Sequence, residues 1–383
     1  MIPSLIELRR TFHRIPEIGL NTYQTAEQIE RTLDDLSIPH LRVGDAGVLG
    51  TLRGAGPGRT IALRADTDAL PIEEKTGVPY ASRHPGAMHA CGHDAHTAAL
   101  LCAAAELIQK RESWRGEIRL FFQPAEEIGQ GARIFVREGH LDGVDRIFGL
   151  HVTPLLPTGR IALRAGPTNA SCDYFRIVVQ GKGAHVSMPQ AGVDALYAAS
   201  QIVIALQAIA ARQTSPLQSI IVGVGTLRAG SVYNAVAEEA VLEGTTRSFD
   251  PATRARVNNA VVHIARMTAE AFGACAQTEF RDYAAPLVND PTAFAELHPA
   301  FTQRFGEENI VTQWEKSLGA DDYADYLAVT KGIYAFVGTA DATDPATSLS
   351  LHNAGFNLDD RALPVMQALH VTAALTWLTG GTA

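Results

Sequence analysis

Cysteine is scarce in this sequence: Cys91, Cys102, Cys172 and Cys275 are widely spaced in a chain of 383 residues. A disulfide framework is therefore not what holds the protein together, and a reducing cytoplasm is the expected setting. Basic residues are in the minority, since 32 Lys and Arg stand against 41 Asp and Glu, for a formal net charge of −9. An acidic chain without a basic cluster is not expected to bind nucleic acid.

Long apolar runs and tails of one charge are also missing. No uncharged apolar stretch of about 18 residues occurs, which predicts that the protein does not enter a membrane. The N-terminus has no apolar region behind a basic segment, so no signal peptide is expected. What remains is a globular composition, 46% hydrophobic and 19% charged. At this length, two domains are expected.

Strand-like and helix-like segments alternate in the first part of the chain. Residues 60–65 and 117–123 have the pattern of strands, and 94–109 has the pattern of a helix. This alternation predicts an α/β fold with a mostly parallel central sheet flanked by helices. At Asp173 the pattern changes to a βαββαβ-like order, which indicates an α+β insert. The prediction is one α/β domain from residues 1–172 and 286–383, interrupted by a second domain at 173–285.

Groups that commonly bind metals follow several of the predicted strands. Ligands of α/β proteins bind beyond the carboxyl ends of the strands, so we expect these groups to converge. Together, thiolate, imidazole and carboxylate suit Zn, Mn, Co or Ni. Adjacent glutamates allow one to bind metal while the other acts as a general base, and the mixed set suggests two ions. The candidates are Cys91, His93, Glu126, Glu127, His151 and His352, with Asp66 and Asp68 nearby.

Each candidate also has a simpler interpretation. Cys91 could be a buried apolar residue, or a nucleophile paired with His93. The two glutamates could be solvated carboxylates at the start of a helix. His151 could be a core histidine and His352 an ordinary loop residue. Asp66 and Asp68 could shape only the loop, and Asp94 could instead orient an imidazole next to the ions.

Four segments point to a family. MHACGHDAHTA, FFQPAEEIGQGA, LRADTDALPI and SLHNAGF together resemble the M20 family of metallopeptidases and amidohydrolases, in the branch with hippurate hydrolases, aminoacylases and auxin-conjugate hydrolases. The resemblance covers nearly the whole chain. It implies two divalent ions, with Glu126 as the general base that activates a water molecule. The metal ligands that the resemblance implies are Cys91, His93, Glu127, His151 and His352.

The insert carries further matches to this family. Residues 181–185 resemble a lid segment whose histidine, here His185, helps to hold the oxyanion and reaches the partner's site in related dimers. Asn234 and Arg247 match positions that bind the substrate carboxylate, a task that suits the planar guanidinium of Arg. The resemblance thus implies a lid, or dimerisation, domain and a homodimer or higher homo-oligomer. The segment reads Gly-Ala-His where relatives often have Gly-Gly-His.

The function expected from the sequence is metal-dependent hydrolysis of the amide bond of small N-acyl amino acids, in the cytoplasm. One alternative is a dipeptidase or carboxypeptidase, which cleaves a small peptide with the same chemistry. The other is a non-catalytic binding protein on the same fold, which would be expected to have a damaged set of metal ligands.

Overall fold

The computed structural model describes residues 3–380, which form two compact units. Unit 1 comprises the described residues of 1–168, 289–315 and 321–383, and unit 2 comprises Asn169–Val288 and Lys316–Ala320. The functional assignment of the predicted domains, at 1–172, 173–285 and 286–383, stays a prediction.

The helices, in chain order, are α1 (Leu5–His13), α2 (Tyr23–Asp35), α3 (His93–Gln109), α4 (Gly131–Arg137), α5 (Ala195–Leu206), α6 (Ala208–Arg212), α7 (Pro251–Ala271), α8 (Pro291–Phe305), α9 (Tyr323–Leu327) and α10 (Ala362–Thr379).

The strands are numbered in the same way. They are β1 (His40–Val43), β2 (Gly47–Arg53), β3 (Thr60–Asp66), β4 (Glu117–Gln123), β5 (Arg146–Pro157), β6 (Ile161–Ala162), β7 (Gly166–Asn169), β8 (Cys172–Gln180), β9 (Ala184–His185), β10 (Ile221–Ala229), β11 (Ala235–Val236), β12 (Glu239–Arg247), β13 (Cys275–Ala284), β14 (Leu287–Asn289), β15 (Ile310–Val311) and β16 (Gly332–Ala340).

Unit 1 is built on a twisted mixed sheet. Its strand order is β1-β2-β4-β3-β5-β16-β6-β15, and the central pairs β4/β3, β3/β5 and β5/β16 are parallel. Strands such as β3 are buried almost throughout because helices cover both faces of a parallel sheet. The Ala-rich α3 is likewise buried along nearly its whole length. The predicted α/β fold with a mostly parallel central sheet is confirmed.

Unit 2 has a four-stranded antiparallel sheet in the order β10-β12-β8-β13. Burial alternates along β8, as it does in a sheet with one covered face. The helices α5 and α7 supply the cover, through buried residues such as Ile202 and Val261. The succession β8, α5, β10, β12, α7, β13 is the predicted βαββαβ order.

Two predicted element boundaries differ from the structure. The Ala-rich pattern of residues 194–212 predicts one long helix. In the structure it is interrupted at Gln207, whose N–H bonds to the carbonyl of Ile204, three residues back. The pattern of residues 146–152 predicts a strand that ends at Val152. In the structure β5 runs on to Pro157, so His151 lies inside it.

By length and composition, one stretch of the described residues, Ala195–Arg212, could cross a membrane. This is a weak indication, because a helix in the core of a folded unit meets the same criteria. The stretch is divided between α5 and α6, and its residues Ala198 and Ile202 lie in the core of unit 2.

Candidate metal centre

Five side chains predicted as metal ligands converge in unit 1. The Sγ atom of Cys91 lies 3.4 Å from Nε2 of His151. The Nε2 atom of His352 lies 3.5 Å from Oε1 of Glu127, and Nε2 of His93 lies 3.9 Å from the same oxygen. The structure therefore brings together residues that are up to 261 positions apart in the sequence, from Cys91 to His352.

The turn before α3 places Cys91 and His93 side by side. Gly92 lies between them with φ 86°, in the left-handed region that favours glycine. A Cβ atom at Gly92 would lie 2.5 Å from a methyl carbon of Val152, so a larger residue would also push against β5. The Sγ of Cys91, a ring nitrogen of His93 and a carboxylate oxygen of Glu127 all lie within 4.8 Å of one another.

Backbone carbonyls orient two of the imidazoles. The Nδ1 atom of His93 lies 2.8 Å from the carbonyl oxygen of Asp68, and that of His151 lies 2.7 Å from the carbonyl of Val152. A proton on each Nδ1 leaves the lone pair of Nε2 directed elsewhere, as metal-binding histidines require. Among the described residues, Nε2 of His93 and Oε1 of Glu127 are buried with no hydrogen-bond partner. Two buried atoms that lack a hydrogen-bond partner in this way are suited to bind a cation.

Asp68 connects the glutamate pair to His93. Its carboxylate accepts the backbone N–H groups of Glu126 and Glu127, at 3.0 and 3.1 Å. The turn that carries the glutamates begins at Ala125, whose φ of 58° is unusual for a residue other than glycine. Asp68 therefore holds this turn in place at the end of β4.

His352 also has a left-handed backbone, with φ 65°. Its N–H donates to the carbonyl oxygen of Ala90, one residue before Cys91, at 2.9 Å. The side chain of His352 is 52% exposed, in contrast to the buried side chain of His93. The cluster is thus buried on one side and open at His352.

The electrostatics of the cluster favour a positive charge. Burial raises the pKa of the Cys91 thiol well above its usual value, and the neighbouring carboxylates of Glu127 and Glu126 raise it further. Burial lowers the pKa of His93, but the carboxylate of Asp66 and other groups outweigh it and raise that pKa to about 10. A site that raises both pKa values is rich in negative charge. The donor set of thiolate, imidazole and carboxylate fits Zn, Mn, Co or Ni.

Glu126 lies beside the cluster, next to a second group of carboxylates. Oxygens of Glu126, Asp321 and Asp322 lie within 4.8 Å of one another, and all three residues are buried. Burial raises the pKa of Glu126 well above its usual value, and Asp321 raises it further. A glutamate with a raised pKa takes up a proton readily, which suits a general base that later acts as an acid.

Arg64 is the buried cation of this region. Its guanidinium donates to Asp66 at 2.6 Å, to Gln123 at 2.9 Å and to Asp322 at 3.2 Å. Arg64, Asp321 and Asp322 were not predicted as part of the site, because nothing in their spacing links residue 64 to residues 321 and 322. The one available signal was the Asp321–Asp322 pair just before a short helix.

His96 and Asp94 flank the cluster without being suited to bind metal. His96 contacts Asp66 through Nδ1 at 2.6 Å and accepts the N–H of Val152 at Nε2, at 3.0 Å, so both ring nitrogens are used. Asp94 does contact an imidazole, that of His13, at 2.8 Å, but His13 is not one of the proposed metal ligands. Successive side chains of a helix point in directions about 100° apart, and Asp94 binds Arg9 and His13 instead.

The three predicted substrate residues lie in unit 2, and two of them are neighbours. His185 in β9 pairs with Ala235 in β11, and the carbonyl of Asn234 accepts the N–H of Val186 at 3.1 Å. The Nδ1 atom of His185 contacts Ser187, so Nε2 is free to point elsewhere.

Arg247 lies at the other end of the sheet in unit 2. It closes β12, whose first residue Glu239 pairs with Gln180, and β9 and β11 lie beyond that pair. At about 3.3 Å per residue, β12 alone spans roughly 26 Å. Arg247 and Asn234 therefore lie far apart within the unit. The two residues of one chain cannot both bind the carboxylate of a single small molecule.

Known proteins resemble this chain along nearly all of its length. Residues 62–375 match the profile of peptidase family M20/M25/M40. The chain is 39% identical to N-acetyl-L-cysteine deacetylase of Bacillus subtilis, with 94% of this chain and 85% of the relative covered. It is 36% identical to thermostable carboxypeptidase 2 of Saccharolobus solfataricus, with 97% and 94% covered.

Solved structures agree with the sequence relatives. The crystal structure of a dinuclear metal binding peptidase of the M20 family from Bacillus subtilis matches with a TM-score of 0.86 at 35% identity, and 98% of each chain is covered. The predicted resemblance, fold and enzyme class are confirmed. The chain belongs to peptidase family M20/M25/M40.

Proposed function

We propose that this protein is a cytoplasmic amidohydrolase that cleaves N-acyl amino acids into a carboxylic acid and a free amino acid. The observation that carries the proposal is the convergence of Cys91, His93, Glu127, His151 and His352 beside Glu126. The similarity to a relative named N-acetyl-L-cysteine deacetylase supports the substrate class.

We assign the five converging residues as ligands of two divalent ions, drawn from Mn, Zn, Co and Ni. When bound, such ions polarise the amide carbonyl and make a water molecule more acidic. As the resemblance to the family implies, Cys91 would be a ligand shared by both ions. Asp68 and the carbonyl of Val152 hold the imidazoles of His93 and His151 in the orientation that this requires.

Glu126 is the proposed general base. It takes a proton from the attacking water, whose oxygen forms a bond to the carbonyl carbon. When the C–N bond breaks, Glu126 returns that proton to the amine nitrogen, so the residue ends the reaction as it began. The carboxylates of Asp321 and Asp322 beside it favour the protonated form that exists between these two steps.

Substrate binding is assigned to unit 2 residues from two copies of the chain. His185 would hold the oxyanion, and Asn234 and Arg247 would bind the polar groups of the amino acid. Because β12 keeps Arg247 roughly 26 Å from the end where His185 and Asn234 lie, both ends can reach one small substrate only from different copies. This supports a homodimer, in which exposed apolar residues on α5, such as Tyr197 and Ile204, would find partners.

A peptidase is the second candidate, because thermostable carboxypeptidase 2 is 36% identical to this chain. The difference lies in the acyl part, which in a dipeptide carries a free amine. A third possibility, a non-catalytic binding protein, is disfavoured because all five proposed ligands and Glu126 are present.

One panel of assays tests the proposal. Metal-stripped protein receives Mn, Zn, Co or Ni and is assayed with acetyl-, benzoyl- and aminoacyl-amino acids. Faster turnover of the acetyl or benzoyl compounds, with no turnover before metal is added, is the expected result. Faster turnover of the aminoacyl compounds would make the peptidase the better description. Full activity in protein shown to be metal-free would contradict both.

A further inference from the structure

Arg9 is a fully buried arginine in the middle of α1, 1% exposed. Its guanidinium makes three separate contacts. Nε donates to Asp94 at 3.2 Å, Nη1 to Asp360 at 2.5 Å and Nη2 to Asn357 at 3.0 Å. A single side chain therefore joins three segments that lie 85 to 351 residues apart in sequence.

Each partner of Arg9 belongs to a segment that carries a proposed metal ligand. Asp94 follows His93 directly, in the first turn of α3. Asn357 and Asp360 lie between His352 and the start of α10. Arg9 thus connects the segment of His93 with the segment of His352.

The segment after His352 is held by backbone hydrogen bonds and by two side chains buried in the core of unit 1, Phe356 and Leu358. The N–H of His352 donates to the carbonyl of Ala90, and the carbonyl of Ala354 accepts the N–H of Lys75 at 2.8 Å. His352 is also the more exposed of the proposed ligands and has a left-handed backbone. The place of His352 therefore depends on how the following residues are held. Core packing fixes Phe356 and Leu358, and Arg9 adds the polar contacts that tie this segment to the segment of His93.

Arginine is suited to this task where lysine is not. The guanidinium presents its N–H donors in a rigid planar fork, so three acceptors in different directions can be bound at once. The fork also places a positive charge between the carboxylates of Asp94 and Asp360, which are 1% and 25% exposed. A lysine could neutralise the charge but could not keep the same three contacts.

We propose that Arg9 is a positioning residue of the metal centre, which fixes His352 relative to His93 and so sets the affinity for one of the two ions. The inference rests on the proposed function, since it requires that these histidines bind metal. Arg9 does not touch substrate or ions and acts only through the residues it holds.

Arg10 provides a matched control. It is adjacent in sequence and contacts the other oxygen of the same Asp360 carboxylate, at 3.1 Å. Both arginines also lie over the ring of Tyr80, at 5.7 and 4.7 Å. Arg10, however, is 39% exposed and makes no contact with Asp94 or Asn357 among the described residues.

The experiment is titration calorimetry with Mn²⁺ on metal-stripped wild type, Arg9→Gln, Arg9→Lys and Arg10→Gln. Wild type is expected to bind two equivalents. In Arg9→Gln we expect one of the two dissociation constants to rise about 10- to 100-fold, the usual effect of losing a group that holds a ligand. Arg9→Lys should be weakened too, and Arg10→Gln should match wild type. Saturating Mn²⁺ should restore kcat in Arg9→Gln without a change in KM.

Two results would overturn the inference. The first is a folded Arg9→Gln protein with both wild-type constants. The second is equal weakening in Arg9→Gln and Arg10→Gln, which would indicate a general effect of charge. Thermal unfolding checks the fold, and Arg9→Lys decides the matter if Arg9→Gln does not fold. Wild-type protein that binds none of Mn²⁺, Zn²⁺, Co²⁺ and Ni²⁺ would contradict the proposed function itself, whatever the variants do.

Discussion

One carboxylate oxygen of Asp68 accepts the backbone N–H of Glu127 at 3.1 Å, while the other accepts that of Glu126 at 3.0 Å. The side chain is buried, so an Asp68→Ala change leaves two N–H groups without an acceptor. We expect metal affinity to fall about 10- to 100-fold, and kcat/KM to fall with it. Calorimetry and kinetics measure both. Asp35→Asn, at an exposed aspartate that ends α2, should change neither.

The two adjacent glutamates should respond differently to the same substitution. Glu126→Gln is expected to keep two ions and lose about 10²- to 10⁴-fold in kcat, because an amide cannot accept the proton of water. Glu127→Gln is expected to lose metal. Metal content and kcat of the two variants give the answer, and near wild-type turnover in Glu126→Gln would refute the base assignment.

Metal binding should release the proton of Cys91. Burial raises the pKa of this thiol well above its usual value, so the metal-free protein carries it protonated at neutral pH, and affinity should increase as pH rises. Calorimetry in buffers with different heats of ionisation counts the protons released. Cys91→Ala should release about one fewer than wild type. Cys102→Ala, at another buried cysteine, should release as many protons as wild type. If Cys91→Ala also released as many protons as wild type, Cys91 would not be a metal ligand.

Inactive variants should complement each other if the site is shared between copies. Glu126→Gln and His185→Ala are each expected to be nearly inactive. When the two are co-expressed, one site of every mixed dimer has both intact residues, and about a quarter of wild-type activity should return. Co-expression of His185→Ala with the double variant should restore nothing. Failure of the first pair to recover activity would mean that His185 serves its own copy.

The stability of the metal-free protein should depend on pH through His13 and Glu74, whose side chains are 3.3 Å apart. Burial lowers the pKa of His13, but Asp94 and Glu74 raise it from 6.5 to about 9. Burial raises the pKa of Glu74, but hydrogen bonds from His13, Thr76 and Ser82 lower it from 4.5 to about 2.

The stability that His13 contributes is complete below its unfolded pKa of 6.5 and is lost as pH rises through about 9. The stability that Glu74 contributes is complete above its unfolded pKa of 4.5 and is lost as pH falls through about 2. A His13→Gln substitution should therefore lower the unfolding temperature most between pH 4.5 and 6.5. Thermal unfolding of wild type and variant at several pH values checks this. A decrease in unfolding temperature that is equal at about pH 6 and about pH 10 would disprove it.

The convergence of the proposed ligands could be predicted because several of its signals are local in the sequence. Cys91 and His93 flank a glycine, the glutamates are adjacent, and parallel strands bring their carboxyl ends to one edge. The contacts that hold the segments of these ligands in place could not be predicted from the sequence. Arg9 and Asp360 are 351 residues apart, and neither belongs to a pattern of ligand spacing. The same holds for Arg64 with Asp321 and Asp322.

The distance between Arg247 and Asn234 could not be predicted from the sequence either. Both match substrate-binding positions, and they are only 13 positions apart in the sequence. Most of the stretch between them forms the extended strand β12, so the two residues lie far apart in space although they are close in sequence. The βαββαβ-like order predicted for the insert includes a strand at 237–247, but the consequence for a shared site appears only when the register of β12 is known.

The scattering of the proposed ligands also orders events during synthesis. Cys91, His93, Glu127 and His151 leave the ribosome before unit 2 has been made, whereas His352 emerges after it. A nascent chain can therefore offer at most a partial set of donors to a metal ion. Since N-terminal parts of a protein are translated first, complete loading must wait for the last strand and helix of unit 1, and truncated products would be left unable to hold both ions.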